Sequence, residues 1–222
     1  MSTRAPFHAG LALREGWQGF SRNAGTLVGF TVLAALVWAL LSALQAGLLS
    51  ATSDQEASAG VLLLLLGLLI LHAILGLVVS IALLDGGLRS VRGESVSLGD
   101  LFAKVGEVPN LIGLQLFAAL AVLLGLMAFF IPGLYLAVAY VFSGVALVDG
   151  PRSFPDALNL SRRLVTPHWF DVTLFLLVVA GVIALGYLAC LVGGFVSVPA
   201  GYCMVAAAYQ QLLKQSGEAG QG

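Results

Sequence analysis

The stretch Phe129–Trp169 reads FFIPGLYLAVAYVFSGVALVDGPRSFPDALNLSRRLVTPHW and organises the interpretation of the whole chain. It begins apolar, is interrupted at Pro132 and Gly133, and is apolar again until Asp149. A basic amphipathic segment follows and ends in a His-Trp pair. Because proline cannot continue a helix and glycine accepts turn dihedrals, we expect a hairpin turn at Pro132 and Gly133. The pattern predicts a helical hairpin followed by a polar segment along a membrane surface.

The composition is that of an integral membrane protein. Of 222 residues, 59% are hydrophobic and 9% are charged, whereas about a quarter of the residues of a soluble domain are charged. So large a deficit is tolerated where lipid covers most of the surface. Ten basic residues balance eleven acidic ones, which argues against a nucleic-acid partner.

Working outward, we predict an all-α polytopic fold of one membrane domain, residues 24–213. Residues 1–23 form a cytoplasmic interfacial segment, and residues 214–222 a disordered cytoplasmic tail. Six transmembrane helices in three hairpins are joined by cytoplasmic interfacial amphipathic helices. The predicted spans are residues 24–49, 60–84, 111–130, 134–148, 170–191 and 195–213.

The polar loop after the second span has two expected features. Gly86 and Gly87 are available to cap the end of the second span. Farther on, apolar residues recur at i, i+3, i+4 and i+7, which is typical of an amphipathic helix. These residues are Leu98, Leu101, Phe102 and Val105.

The distribution of positive charge predicts the orientation. With six spans, every lysine and arginine falls on one side of the membrane. By the positive-inside rule, both termini are then cytoplasmic. The ten residues are Arg4, Arg14, Arg22, Arg89, Arg92, Lys104, Arg152, Arg162, Arg163 and Lys214.

The central stretch, with IPGLYLAVAYVFSGVALVDG, SFPDALNLSRRLV and His168-Trp169, resembles a group of bacterial multi-span membrane proteins. They are related to the membrane domain attached to some glycerophosphodiester phosphodiesterases. The similarity extends over about residues 85–213. It implies a six-helix domain in the bacterial cytoplasmic (inner) membrane and no assigned activity, since the phosphodiesterase domain is absent from this chain.

No catalytic motif, cofactor site or metal site is recognisable. The three histidines do not have metal-ligand spacing, and neither a nucleophile elbow nor a phosphate-binding glycine loop occurs. Cys190 and Cys203 lie in apolar sequence without a CxxC spacing, so packing between helices is favoured over a disulfide.

The second predicted span carries one ionisable group, His72, near its middle, where such a group is costly. One interpretation is a polar intramembrane site facing the bundle interior, with Gln115, Tyr140 and Ser143 as further candidates. The other is a neutral histidine hydrogen-bonded to a neighbouring helix, through Gln45, Gln115 or Ser143.

Four residues near the end of the central stretch are candidate contacts for anionic lipid: Arg152, Arg162, Arg163 and Trp169. Each well-placed base attracts an anionic headgroup by about 1 kcal/mol. Orientation and anchoring of the chain, which every cytoplasmic loop requires, would explain the same residues.

The sequence therefore favours a non-enzymatic membrane protein that binds lipid, anionic lipid in particular, or assists a membrane-protein partner. A small transporter or lipid-moving protein is the first alternative, and an intramembrane enzyme of unknown type is the second. The oligomeric state is left open.

Overall fold

The computed structural model describes residues 7–51, 58–188 and 191–217, and this part of the chain is helical without strands. Short 3-10 turns join several of the helices. The α-helices are α1 Ala9–Arg22, α2 Ala24–Ala51, α3 Ala59–Val91, α4 Val108–Ala128, α5 Phe130–Ala139, α6 Ser143–Asp149, α7 Phe154–Val165, α8 Trp169–Leu188 and α9 Gly194–Ser216.

Five helical segments among the described residues are long and apolar enough to cross a membrane. Large apolar side chains such as Leu63 and Leu188 project outward from them, 69% and 82% exposed. Such a surface is stable in lipid and not in water. The architecture is therefore that of a multi-pass membrane protein. The five segments are Ala24–Ala51, Ala59–Val91, Asp100–Ala128, Phe130–Asp149 and Phe154–Leu188.

The predicted sixth span, residues 195–213, corresponds to α9, which is not one of these five segments. α9 packs against α1, α3 and α8, and most of its residues are buried. At Gly16 of α1, an added Cβ would collide with the backbone of Met204. Because protein rather than lipid covers α9, small and polar side chains are tolerated along it.

α2 and α3 run antiparallel, with Ser42 opposite His72 and Asn23 opposite Ser90. Contrary to the predicted cap, α3 continues through Gly86 and Gly87 to Val91. A Cβ at position 86 would lie 2.6 Å from Leu101, and one at position 87 would lie 3.2 Å from the Tyr202 backbone. Both glycines permit close helix packing, and the left-handed residue that follows the helix is Gly93, with φ of 85°.

The prediction of an amphipathic helix around residues 98–105 is wrong. The chain instead forms two 3-10 turns, Asp100–Phe102 and Val105–Glu107. The Asp100 carboxylate accepts hydrogen bonds from the backbone N–H and the hydroxyl of Ser97. Such local side-chain bonds compete with regular helix formation.

The hairpin between α4 and α5 turns earlier than expected. Phe129 is the extended residue between the helices, with φ of −157°, while Pro132 and Gly133 lie in the first turn of α5. Proline is tolerated there because a first-turn N–H has no intrahelical acceptor. At Gly133, a Cβ would lie 2.5 Å from the Leu126 nitrogen, so this glycine allows the two helices to meet.

The predicted fourth span, residues 134–148, is two helices rather than one. α5 ends at Ala139 and α6 begins at Ser143. Ser161 of α7 lies against the break: its hydroxyl donates to the Ala139 carbonyl at 2.7 Å and accepts from the Phe142 N–H at 3.1 Å. A side chain from another helix thus replaces backbone hydrogen bonds that the interruption removes.

α7 corresponds to the amphipathic segment that is predicted to lie along a membrane surface. It packs against α4, α5, α6 and α9, and half of its residues are buried. Its exposed face carries Arg162 and Arg163. The amphipathic pattern is therefore real, but its apolar face contacts protein. The buried residues are Ala157, Leu158, Leu160, Ser161, Leu164 and Val165.

Candidate functional site

A basic cavity lies between the C-terminal end of α7 and the C-terminal end of α9. Its volume is about 550 Å³. Arg162 and Arg163 line it together with His168, and none of the described lining residues is acidic. The remaining lining residues are Leu164, Thr166, Pro167, Leu212, Gln215 and Ser216.

The geometry of the cavity follows from how α7 ends. The Thr166 hydroxyl donates to the Arg162 carbonyl at 2.6 Å and bonds the Tyr135 hydroxyl at 2.8 Å. These bonds fix the 3-10 turn Thr166–His168 beside the two exposed arginines. The cavity therefore presents two guanidinium groups and an imidazole that can donate to an anionic oxygen ligand. The Thr166 and Ser216 hydroxyls already donate to the Arg162 and Leu213 carbonyls.

The other two candidate lipid contacts lie elsewhere. The Arg152 guanidinium lies 3.8 Å from the Asp149 carboxylate and 3.4 Å from the Ala146 carbonyl, and it does not line the cavity. The Trp169 indole N–H donates to the Tyr135 carbonyl at 3.3 Å. Neither side chain lines the cavity, so of the four candidates the structure groups Arg162 and Arg163 there.

The Asp149 carboxylate is a junction of three helices. Its side chain is only 6% exposed. It pairs with Arg92 beyond the end of α3 and with Arg152, and it accepts a 2.8 Å hydrogen bond from Tyr209 of α9. A carboxylate so enclosed needs these partners, because burial of an unpaired charge is costly.

Asn23 performs a similar role between α1 and α2. Its amide nitrogen donates to the Ser90 hydroxyl at 3.0 Å and to the Glu94 carbonyl at 2.9 Å. Its amide oxygen accepts from the Val96 N–H at 2.9 Å. The side chain thereby fixes the end of α3 and the loop that follows it.

A second cavity, an elongated groove of about 880 Å³, opens between α2, α3 and α4. We call it the intramembrane groove, because all of its residues belong to apolar spanning segments. His72 and Gln115 both line it. The other lining residues are Trp38, Ser42, Gln45, Leu69, Ala73, Gly76, Leu77, Ser80, Ile112, Leu116 and Ala119.

Both nitrogens of His72 have partners. Nδ1 lies 2.9 Å from the Leu68 carbonyl, which can only accept, so Nδ1 carries the proton. Nε2 lies 3.2 Å from the Ser42 hydroxyl, within hydrogen-bond distance. The Trp38 ring packs edge-on against the imidazole at 4.9 Å. This arrangement bonds His72 across a helix pair, through Ser42 rather than the partners expected from sequence.

Tyr140 and Ser143, the other members of the expected polar site, do not line the groove. The Ser143 hydroxyl donates to the Tyr140 carbonyl at 2.6 Å, at the break between α5 and α6. The Ser143 hydroxyl and the Tyr140 carbonyl thus bond to each other within the interrupted helix. The structure thus brings His72 together with Gln115 and separates both from this second pair.

Sequence reasoning missed Ser161, Asn23 and the Tyr209–Asp149 pair. Serine in an amphipathic helix and asparagine between two helices are ordinary at the sequence level, so no signal distinguished them. Among the described residues, no group of three or more metal-ligating side chains is found. Cys190 lies outside the described residues, and Cys203 is buried.

No protein family model, curated protein or solved structure matches this chain.

Proposed function

We propose that this protein is a non-enzymatic bacterial inner-membrane protein that binds the headgroup of an anionic phospholipid in its basic cavity. The observation that carries the proposal is the pairing of Arg162 and Arg163 on one wall of a cavity of about 550 Å³. Each base near a membrane surface contributes about 1 kcal/mol of attraction to anionic lipid.

The chemistry of the cavity supports a headgroup rather than a simple anchoring role. Anchoring needs only positive charge at the right depth, as exposed Arg14 and Arg22 of α1 supply. The cavity adds His168 beside the arginines. Two guanidinium groups and an imidazole can together donate to the several oxygens of a phosphodiester.

The proposed orientation has both termini in the cytoplasm, with the cavity at the cytoplasmic headgroup level. It rests on the distribution of the ten basic residues. The orientation does not depend on whether every helical hairpin crosses the whole membrane. A hairpin that enters and leaves through one face returns the chain to the same side.

The contacts of Tyr135 bear on the six-span arrangement. Six complete spans place the turn at Phe129 and the α7–α8 junction on opposite faces, about 30 Å apart. Tyr135 lies six residues beyond Phe129, about 9 Å of helix, yet it is hydrogen-bonded to Thr166 and Trp169. The proposal therefore includes a strongly inclined α4–α5 hairpin whose turn lies within the hydrocarbon.

Extraction of the full-length protein in native lipid discs, followed by mass spectrometry, tests the proposed binding. We expect anionic phospholipid to be enriched above its bulk abundance, and the enrichment to be lost in Arg162→Ala/Arg163→Ala. Bulk lipid composition in the wild-type discs would oppose the proposal. A stoichiometric co-purifying membrane protein with bulk lipid would instead favour assistance to a partner.

A further inference from the structure

The intramembrane groove contains two polar side chains without hydrogen-bond partners among the described residues. Gln45 on α2 and Gln115 on α4 both line it. Neither carboxamide forms a hydrogen bond within the described residues, whereas the other polar groups there do. Ser42 pairs with His72, and the Ser80 hydroxyl donates to the Gly76 carbonyl at 2.8 Å.

These two amides are costly where they are. In hydrocarbon no water satisfies a polar group, so each unpaired donor or acceptor is strongly unfavourable. Serine and histidine in the same groove have found partners in the chain itself. Two glutamines that face one open groove from different helices therefore indicate a partner that enters the groove.

The chemistry of the groove restricts that partner. None of the lining residues is a lysine, arginine, aspartate or glutamate, so a phosphate would lack a fixed counter-charge. Each carboxamide offers both a donor and an acceptor, which complements a hydroxyl or ester carbonyl group. Apolar residues such as Trp38, Ile112 and Leu116 supply a surface for hydrocarbon chains.

The shape of the groove agrees with a lipid. On α3 the lining extends from Leu69 to Ser80, eleven residues or about 16 Å of helix. A groove that long accommodates a polar head with part of its chains. We propose that it binds an uncharged lipid bearing a free hydroxyl group, of the diacylglycerol class, through Gln45 and Gln115.

This site is separate from the basic cavity, and the two proposals can fail independently. The test uses full-length protein in lipid nanodiscs with a photoactivatable diacylglycerol, and a photoactivatable phosphatidylcholine as the reference probe. We expect the diacylglycerol to label peptides from α2, α3 and α4. In Gln45→Leu and in Gln115→Leu, that labelling should fall about fivefold, as expected for loss of one buried hydrogen bond.

Leucine has nearly the size of glutamine, and Gln115 is exposed, so these variants should fold. Equal thermal midpoints confirm that they do. Arg162→Ala/Arg163→Ala is the matched control and should leave diacylglycerol labelling unchanged, whatever the basic cavity binds. Equal labelling by phosphatidylcholine, or labelling that survives both glutamine variants, overturns the inference. So does cross-linking of two chains through the groove, which would make a second copy the occupant.

Discussion

The hydroxyl of Tyr209 donates a 2.8 Å hydrogen bond to the carboxylate of Asp149, joining the last helix of the chain to the end of α6. The two residues are sixty positions apart. Arg92 pairs with the same carboxylate, so three helices converge on one side chain. This junction holds α9 against the end of α6 and so positions the part of α9 that lines the basic cavity.

Replacement of Tyr209 by phenylalanine should destabilise the protein by about 1–2 kcal/mol, because a buried carboxylate loses a hydrogen bond. Unfolding in mixed micelles with increasing denaturing detergent measures the change. Tyr202→Phe is the matched control, since Tyr202 on the same helix has no hydrogen bond through its hydroxyl among the described residues. Equal destabilisation by both variants would show that the Asp149 bond contributes nothing specific.

Ser161→Ala should cost about 1–3 kcal/mol, since it leaves the buried Phe142 N–H without an acceptor. The same unfolding assay applies. Ser153→Ala is the control on the same segment, because its hydroxyl bonds only the exposed side chain of Asp156. If Ser161→Ala were as stable as wild type, the break between α5 and α6 would not depend on α7.

The depth of the α4–α5 turn can be measured by thiol labelling. In a background lacking both native cysteines, Phe129→Cys should react with a membrane-impermeant maleimide from neither side, because the inclined hairpin keeps the turn in hydrocarbon. Leu188→Cys, at the end of α8, should react from outside the cell and serves as the control. Rapid external labelling at position 129 would instead establish a hairpin that crosses fully.

The length of the apolar runs predicted the long apolar helices well, because a lipid-facing helix must be apolar over about twenty residues. The bounds of α2 and α8 differ from the predicted spans by a few residues. The apolar character of a helix depends on whether lipid or protein surrounds it. It is weakest for α9, whose neighbours are protein and whose sequence is accordingly less apolar.

The features that sequence could not supply all depend on contacts between distant segments. Gly86 and Gly87 look like a helix cap until Leu101 is known to pack against the first and the backbone of α9 against the second. Likewise, the break after Ala139 becomes tolerable only when Ser161 satisfies its backbone groups. Arg162 and Arg163 were found from charge alone, but their cavity requires the end of α9.

Replacement of both cavity arginines by lysine should retain part of the preference for anionic lipid. Charge is conserved, but lysine lacks the planar fork that binds two phosphate oxygens at once. We expect affinity in native mass spectrometry between that of wild type and that of the double alanine variant. If the double lysine variant bound anionic lipid no better than the double alanine variant, charge alone would contribute nothing to binding. That result would contradict the electrostatic part of the proposal.

The most direct test of lipid binding is a titration of the purified full-length protein with phosphatidylglycerol and phosphatidylcholine, followed by native mass spectrometry. Two bases at about 1 kcal/mol each predict that Arg162→Ala/Arg163→Ala reduces the phosphatidylglycerol preference about thirtyfold. Arg14→Ala/Arg22→Ala, which removes two exposed bases from α1, should leave the preference nearly intact. A preference that is unchanged in the first variant, or reduced equally in both, would contradict a headgroup site in the basic cavity.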